Sequence, residues 1–287
     1  MKNVWFVLVL VCAQAHAFKV DAEYTEITCE ITLRVRPCVQ ELALRGLASS
    51  LVPAPYTHPL IPLTKGSSNN WCGYVAAQNL NTPVVNSVTS VQALWIVPHV
   101  TAPAGGNPKD TYASIWIGID GYNNSTVEQI GTSHEWHSGK VVNYAWFEMY
   151  PNAAFEISGF PLNPGDSIGA TIISQGKGVF LMKLANNTRK VTTTIPTRYT
   201  ICATAQCACA EWVVEAPYMK GVLPLAHFSN VAFSNCTATI GGVTGAINNP
   251  KWKHDSIIMK SPTMAPKATV SALAADGQSF SAMWLHS

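Results

Sequence analysis

Alternate residues of segment 144–150 could form one wall of a groove that binds an extended chain. Tyr144, Trp146, Glu148 and Tyr150 occupy every second position, and side chains at this period share one face of a β-strand. Large aromatic side chains around a single carboxylate are unusual both for a core and for a solvated surface. Aromatic cross-strand pairs on a solvated sheet would give the same pattern, so the pattern alone leaves both interpretations open.

A second segment, 211–215, carries two carboxylates on one strand face. Glu211 and Glu215 share that face, while Trp212 and Val214 lie on the other. A positioned carboxylate can move protons as a general acid or base during hydrolysis. A lone glutamate is more often a solvated charge, so this pattern also needs a further argument before it indicates catalysis.

The short motifs of zinc and aspartic hydrolases are absent from the sequence. It contains no HExxH zinc motif. His134 and His137 are three residues apart, which is not the spacing of a helical zinc site, and we expect them in a loop. Asp120-Gly121 is followed by Tyr122, so the Asp-Thr/Ser-Gly motif of aspartic peptidases is absent too. We expect no metal ion and no cofactor.

The elements that position these residues are predicted to be β-strands. Short runs rich in Val, Ile, Thr and aromatic residues are separated by turn sequences, and no long segment has a helical period. This pattern predicts an all-β fold, an antiparallel sandwich or barrel. The predicted strands are 91–97, 114–119, 141–150, 167–173, 178–184, 190–195, 211–214, 225–233 and 268–273.

The first 66 residues differ from the rest of the chain. A positive start, an apolar run over 4–12 and the small residues Ala15 and Ala17 predict a signal peptide over 1–17. Residues 18–66 combine charges with a proline-rich linker, which predicts a propeptide ending in an exposed cleavage region. An ordinary N-terminal subdomain is the alternative. Residues 67–287 are predicted to form one secreted, extracellular domain that does not bind membranes.

Composition narrows the class of protein further. With 48% hydrophobic residues, 12% charged residues and a net charge of +2, the chain is expected to fold and not to bind nucleic acid. Export favours glycosylation and disulfide bonds. Four glycosylation patterns begin at Asn123, Asn124, Asn186 and Asn235. Removal of 1–66 leaves an odd number of cysteines, so one thiol is expected to stay unpaired: Cys72, Cys202, Cys207, Cys209 and Cys236 remain.

Eight segments in one order resemble motifs of the eqolisins, the glutamic peptidases. Each is weakly specific alone, but the ordered set extends over about 69–235. The segments are NWCG at 70–73, LWIVP at 94–98, ASIWIGIDG at 113–121, EQIG at 128–131, YAWFEMYP at 144–151, PGDSI at 164–168, AEWVVE at 210–215 and the strand-like 225–235.

The resemblance implies a β-sandwich of two curved antiparallel sheets, a concanavalin-like jelly roll, with the substrate cleft on one sheet. It implies a pepstatin-insensitive acid endopeptidase that acts on polypeptides, is made with a propeptide and works as a monomer. Catalysis is expected from a Glu–Gln pair, Glu211 and Gln129. The residues expected to line or support the cleft are Trp71, Trp116, Asp120, Trp146 and Glu148.

These residue types suit hydrolysis by an activated water. An ionised Glu211 could take a proton from water and later deliver it to the leaving nitrogen. Gln129 cannot ionise, so its amide could donate a hydrogen bond to the developing oxyanion. Two departures from the family pattern, Ser133 and His227, concern the pH optimum and the pocket preference more than the reaction.

Two other functions fit parts of the sequence. A secreted lectin-like sandwich would use the aromatic groove on sugars, but it gives no role to Glu211 beside Gln129 or to a propeptide. An inactive family member that acts as an interaction protein is the second alternative, and the two departures are compatible with it.

Overall fold

The computed structural model describes residues 51–54, 56–64, 66–103, 110–195 and 200–287. The predicted signal peptide and most of the predicted propeptide lie outside the described residues. Within them the chain is built from β-strands and contains no helix, so none of the described residues forms a membrane-spanning helix. In chain order the strands are β1 (Leu51–Pro53), β2 (Pro62–Thr64), β3 (Ser67–Ser68), β4 (Trp71–Ala77), β5 (Val88–Ile96), β6 (Val100–Thr101), β7 (Thr111–Ile119), β8 (Val127–His137), β9 (Lys140–Tyr150), β10 (Phe155–Ile157), β11 (Ser167–Ser174), β12 (Phe180–Asn186), β13 (Val191–Ile195), β14 (Cys209–Glu215), β15 (His227–Phe228), β16 (Val231–Ile240), β17 (Val243–Ala246), β18 (Lys253–Lys260), β19 (Pro266–Val270) and β20 (Phe280–Trp284).

Two large sheets contain nearly all of these strands. Sheet 1 has the order β1-β10-β9-β8-β7-β14-β4-β18, and all its pairs are antiparallel. Sheet 2 has the order β13-β12-β11-β5-β16-β20-β19-β18-β3-β2, with β17 also beside β16. Strand β18 belongs to both sheets, because its first half pairs with β4 and its second half with β19. The prediction of an all-β antiparallel sandwich is confirmed.

Sheet 1 is buried on both faces at its centre. Every residue of β4, β7 and β14 is buried, whereas β5, β11 and β12 alternate between buried and more exposed positions. One face of sheet 1 packs on sheet 2, where Trp95 donates its indole N–H to Thr132 Oγ1 at 3.1 Å and Trp212 donates to the Gln92 carbonyl at 2.9 Å. Both tryptophans are fully buried, as predicted for core residues. Burial of each contributes about 1.5–3 kcal/mol.

Two local predictions are wrong. Residues 134–137 are not a loop but the end of strand β8, where the buried His134 contacts Thr132 Oγ1 at 2.9 Å and Asn143 Oδ1 at 2.8 Å. The consecutive polar residues 132–135 concealed this strand, because their burial depends on partners on neighbouring strands. The predicted strand 225–233 is interrupted, since β15 ends at Phe228 and β16 begins at Val231.

Expected covalent features also differ from the structure. All five cysteines in the described residues are free and buried, so the predicted disulfide bonds do not occur there. Their thiols lie against hydroxyl, amide or carbonyl oxygens in several cases, such as Cys207 Sγ with Ser174 Oγ at 3.5 Å. Asn186 is fully buried, and its side-chain nitrogen donates to Asp166 and to the Pro161 carbonyl. It is therefore inaccessible to a glycosylating enzyme in the folded chain.

Candidate functional site

One row of residues across four strands carries both members of the predicted catalytic pair. Glu211 on β14 is opposite Gly118 on β7, which is opposite Gln129 on β8, which is opposite Glu148 on β9. Directly opposed residues of antiparallel strands point to the same face of a sheet. We call this the site face of sheet 1. Gly118 is required in the row, since a Cβ there would lie 2.8 Å from the Trp116 ring.

Two further rows complete the site face. The second row places Trp116 beside Gly131, which is opposite Trp146. A Cβ on Gly131 would overlap the Ile115 carbonyl and the Trp116 side chain, so glycine lets the strands and the indole approach closely. The third row consists of Trp71, Glu215, Ser114, Ser133 and Tyr144.

Gln129 is held by a carboxylate on the neighbouring strand. Its Nε2 donates to Glu148 Oε2 at 2.7 Å, and it also contacts the main-chain carbonyl of His58 at 3.3 Å. Both neighbours of Nε2 are acceptors, which fixes the orientation of the amide. Glu148 Oε2 also accepts the main-chain N–H of His58 at 3.1 Å. Burial raises the pKa of Glu148 well above its ordinary value, against the opposing effect of these hydrogen bonds.

Glu215 is the most fully coordinated carboxylate of the site face. Its Oε2 accepts the Trp116 indole N–H at 2.8 Å and lies 3.1 Å from His58 Nδ1, while Oε1 accepts Asn70 Nδ2 at 2.9 Å. Burial raises the pKa of Glu215 well above its ordinary value. The Trp116 hydrogen bond acts in the opposite direction, and the nearby Glu148 charge raises the pKa further.

Glu211 has quite different surroundings. It is fully buried, and neither carboxylate oxygen has hydrogen-bond geometry with a donor in the described part of the chain. Burial raises its pKa well above the ordinary value; the adjacent Cys209 thiol lowers the pKa, and the Asp120 charge raises it. These surroundings favour a neutral carboxylic acid while the site face is covered.

Asp120 organises a loop. It follows β7 with a φ of 72°, and its carboxylate accepts the main-chain N–H groups of Gln206, Cys207 and Ala208, each at 2.7 Å. Asn124 Nδ2 donates to it at 2.7 Å as well. All these donors belong to loop segments, so Asp120 supports the approach to β14, and its hydrogen bonds within the described residues do not reach the Gln129 network.

The tryptophans predicted for the cleft do lie on the site face. Trp71 and Trp116 are fully buried and meet edge to face, with ring centroids 4.7 Å apart. Trp146 stacks almost parallel on the His58 imidazole, with centroids 3.8 Å apart and an interplanar angle of 7°. The structure therefore brings Trp71, Trp116, Trp146, Glu148 and Gln129 to one face.

Three residues of this network were absent from the sequence-based candidates: Glu215, Asn70 and His58. Glu215 could have been found, because it belongs to the same segment as Glu211 and shares its strand face. Asn70 also belongs to a recognised segment. His58 lies in the predicted linker. No sequence pattern connects it with its partners Gln129, Glu148 and Glu215, which are separated from it by 71, 90 and 157 positions. In the described residues, no cluster of His, Cys, Asp and Glu could hold a metal ion.

Comparisons with known proteins identify the family of this chain. The profile of the Peptidase A4 family matches residues 69–271. Aspergillopepsin-2 from Aspergillus niger is 30% identical over 199 residues, which cover 62% of this chain and 66% of that relative, just under two thirds of its length.

Solved structures show the same fold. Scytalido-glutamic peptidase, in a crystal structure with a transition state analog inhibitor, aligns with a TM-score of 0.59 at 20% identity, over 76% of this chain and 98% of that one. Aspergilloglutamic peptidase from Aspergillus niger aligns with a TM-score of 0.51 at 25% identity, over 61% of this chain and 99% of that one. The resemblance to glutamic peptidases is confirmed: the chain belongs to the Peptidase A4 family, a family of peptide hydrolases.

Proposed function

We propose that this chain is a secreted, pepstatin-insensitive acid endopeptidase in which Gln129 and Glu215 act on the substrate peptide bond. One observation carries the proposal. A segment of the chain itself lies on the site face, and a single residue of it, His58, contacts the Gln129 amide through its carbonyl and the Glu215 carboxylate through its side chain. A bound polypeptide can therefore meet both groups at once, which favours a polypeptide over a sugar as the ligand.

The proposed reaction needs only these two side chains and a water molecule. Ionised Glu215 takes a proton from the water while the oxygen of that water attacks the carbonyl carbon. Gln129 Nε2 donates a hydrogen bond to the oxygen that becomes negative in the tetrahedral intermediate. Glu215 then gives the proton to the nitrogen, and the C–N bond breaks. Glu148 positions Gln129 because its carboxylate holds Nε2 at 2.7 Å.

Acid conditions suit this assignment of roles. While His58 covers the site face, burial keeps the pKa of Glu215 raised and its carboxyl neutral. Displacing that segment by a hydrated substrate removes part of the desolvation, so the pKa moves back towards its ordinary value of about 4.5. Near that pH the group can accept a proton from water and return it to nitrogen in one cycle.

The sequence-based prediction of Glu211 as the base stays a prediction. The geometry supports Glu215 instead, because Glu215 contacts the segment on the site face and Glu211 forms no hydrogen bond with it. In this assignment a neutral Glu211 would act as a packing residue of the sheet, opposite Gly118.

Cleavage of an unfolded protein near about pH 4, with pepstatin present, tests the proposal in the range where a glutamate titrates. Removal of one oxyanion donor costs about 10²–10³-fold in kcat, which is the loss expected for Gln129→Ala. Gln175→Ala is the matched control, since Gln175 is exposed in a turn. Equal activity of the Gln129→Ala variant and the wild type would contradict the proposal.

A further inference from the structure

Residues 56–61 lie along the site face in the position expected for a substrate, and we call them the strap. Main-chain hydrogen bonds hold both ends. Thr57 exchanges two with Tyr218, at 3.0 and 2.9 Å. Asn70 binds the second half: its Nδ2 donates to the Pro59 carbonyl at 2.7 Å, and its Oδ1 accepts the Ile61 N–H at 2.8 Å.

Apolar contacts add to these hydrogen bonds. Tyr56 is 6% exposed and meets Tyr112 edge to face, with centroids 5.1 Å apart. Leu60 packs on the hydrophobic cluster that includes Trp71 and Trp146. The predicted linker was expected to be exposed, so its burial here is a correction, and the reason is the complementarity of its side chains to the site face.

His58 is the centre of the strap and is only 2% exposed. Its N–H binds Glu148, its carbonyl accepts from Gln129, and its ring lies between Trp146 and Glu215. His58 therefore contacts Gln129, Glu148 and Glu215 at once.

Two features make this arrangement unproductive for hydrolysis. A water attacking the bound carbonyl must lie within hydrogen-bond distance of Glu215, and His58 Nδ1 occupies such a position at 3.1 Å from Oε2. In addition, the peptide bond after this carbonyl joins His58 to Pro59, whose nitrogen carries no proton and whose ring fixes the main chain. The strap thus presents a carbonyl to Gln129 while it excludes the water.

We propose that the strap is a built-in inhibitor, in which the His58 imidazole takes the place of the catalytic water on Glu215. This inference rests on the proposed function. Burial lowers the pKa of His58 to about 3, so the imidazole is neutral in the strap over most of the pH range. Two titratable groups contact His58: Glu215, from β14, contacts the ring, and Glu148, from β9, accepts the main-chain N–H.

Initial rates of the full-length precursor test the inference. Immediately after transfer to acid, the wild-type precursor should cleave an unfolded substrate slowly and after a lag, whereas His58→Ala should start at least about tenfold faster. His99→Ala, which changes an exposed histidine, should behave as wild type. After complete maturation the three rates should converge. Equal lags and equal initial rates of His58→Ala and wild type, followed by normal mature activity, would overturn the inference alone.

Absence of activity in every matured protein would instead overturn the proposed function, and the strap inference with it. A second measurement does not require a folded variant. A synthetic peptide of residues 53–62 should inhibit the matured wild-type enzyme, and the same peptide with alanine at the histidine position should inhibit at least about tenfold less well. Equal inhibition by both peptides, or none by either, would overturn the role of His58.

Discussion

Glu135 should make the protein more stable in acid than at neutral pH. This side chain lies in strand β8 on the same face as Gln129, is 4% exposed and accepts the Tyr144 hydroxyl at 2.7 Å. Burial raises its pKa from 4.5 to about 7; the Tyr144 hydrogen bond lowers the pKa, and the Asp110 and Glu156 charges raise it. The unfolded chain has no such environment, so its carboxyl titrates near the ordinary value.

The direction of the effect follows from proton binding. Between about pH 4.5 and 7 the folded protein holds a proton that the unfolded chain has lost, so the stabilisation is complete below 4.5 and disappears as the pH rises through 7. A difference of about 2.5 units corresponds to at most about 3 kcal/mol, at 1.36 kcal/mol per unit. The side chain in Glu135→Gln is neutral at every pH and keeps an acceptor for Tyr144. The free energy of unfolding of this variant should therefore not fall by this amount as the pH rises.

Denaturant unfolding at pH 4 and pH 8 measures the difference, with Gln129→Ala in all samples to prevent self-digestion. Glu135→Gln and its parent should have similar free energies of unfolding at pH 4, and the variant should be more stable by up to about 3 kcal/mol at pH 8. Gln175→Ala, which changes an exposed side chain and removes no titratable group, is the control and should leave the pH dependence as it is. The reasoning would be refuted if the free energy of unfolding changed between pH 4 and pH 8 by the same amount in Glu135→Gln and in its parent.

Two further substitutions separate catalysis from support of the fold. Trp116→Phe removes the hydrogen bond to Glu215, and since hydrogen bonds to charged groups contribute about 1.5–3 kcal/mol, kcat/KM should fall by about 10- to 150-fold while the variant stays folded; an unchanged kcat/KM would contradict the role of this contact. Asp120→Ala leaves three main-chain N–H groups of the loop before β14 without their acceptor and should lower the free energy of unfolding by about 2–4 kcal/mol. Activity per folded molecule should persist, and a selective rise in KM at unchanged stability would instead indicate that Asp120 binds substrate.

The fold was largely predictable because its signals are local. Alternating residues in β5, β9 and β11 gave nearly the observed bounds, and the pattern of Tyr144, Trp146 and Glu148 does place them on one face. No strand was predicted over β8, because buried polar residues such as His134 give it the sequence character of a loop. Their burial depends on partners that the fold brings together, such as Asn143.

The candidate site was predictable as a set of motifs but not as a set of contacts. Gln129 and Glu148 come into contact as expected for neighbouring strands, yet the choice between Glu211 and Glu215 depends on which carboxylate faces the groove. Both lie on the same face of β14, so periodicity cannot separate them. The position of His58 depends on a long connection folding back over the sheet, which composition describes only as proline-rich.

Comparison of Glu215→Gln with Glu211→Gln tests the central claim most directly. Both variants exchange a carboxylate for an amide of the same shape within one strand, and cleavage of an unfolded protein near about pH 4 in the presence of pepstatin is the measurement. The account predicts that folded Glu215→Gln loses cleavage, whereas Glu211→Gln retains it because Glu215, and not Glu211, forms a hydrogen bond with the strap in the substrate position. Loss of cleavage in folded Glu211→Gln together with full activity of Glu215→Gln would contradict the account.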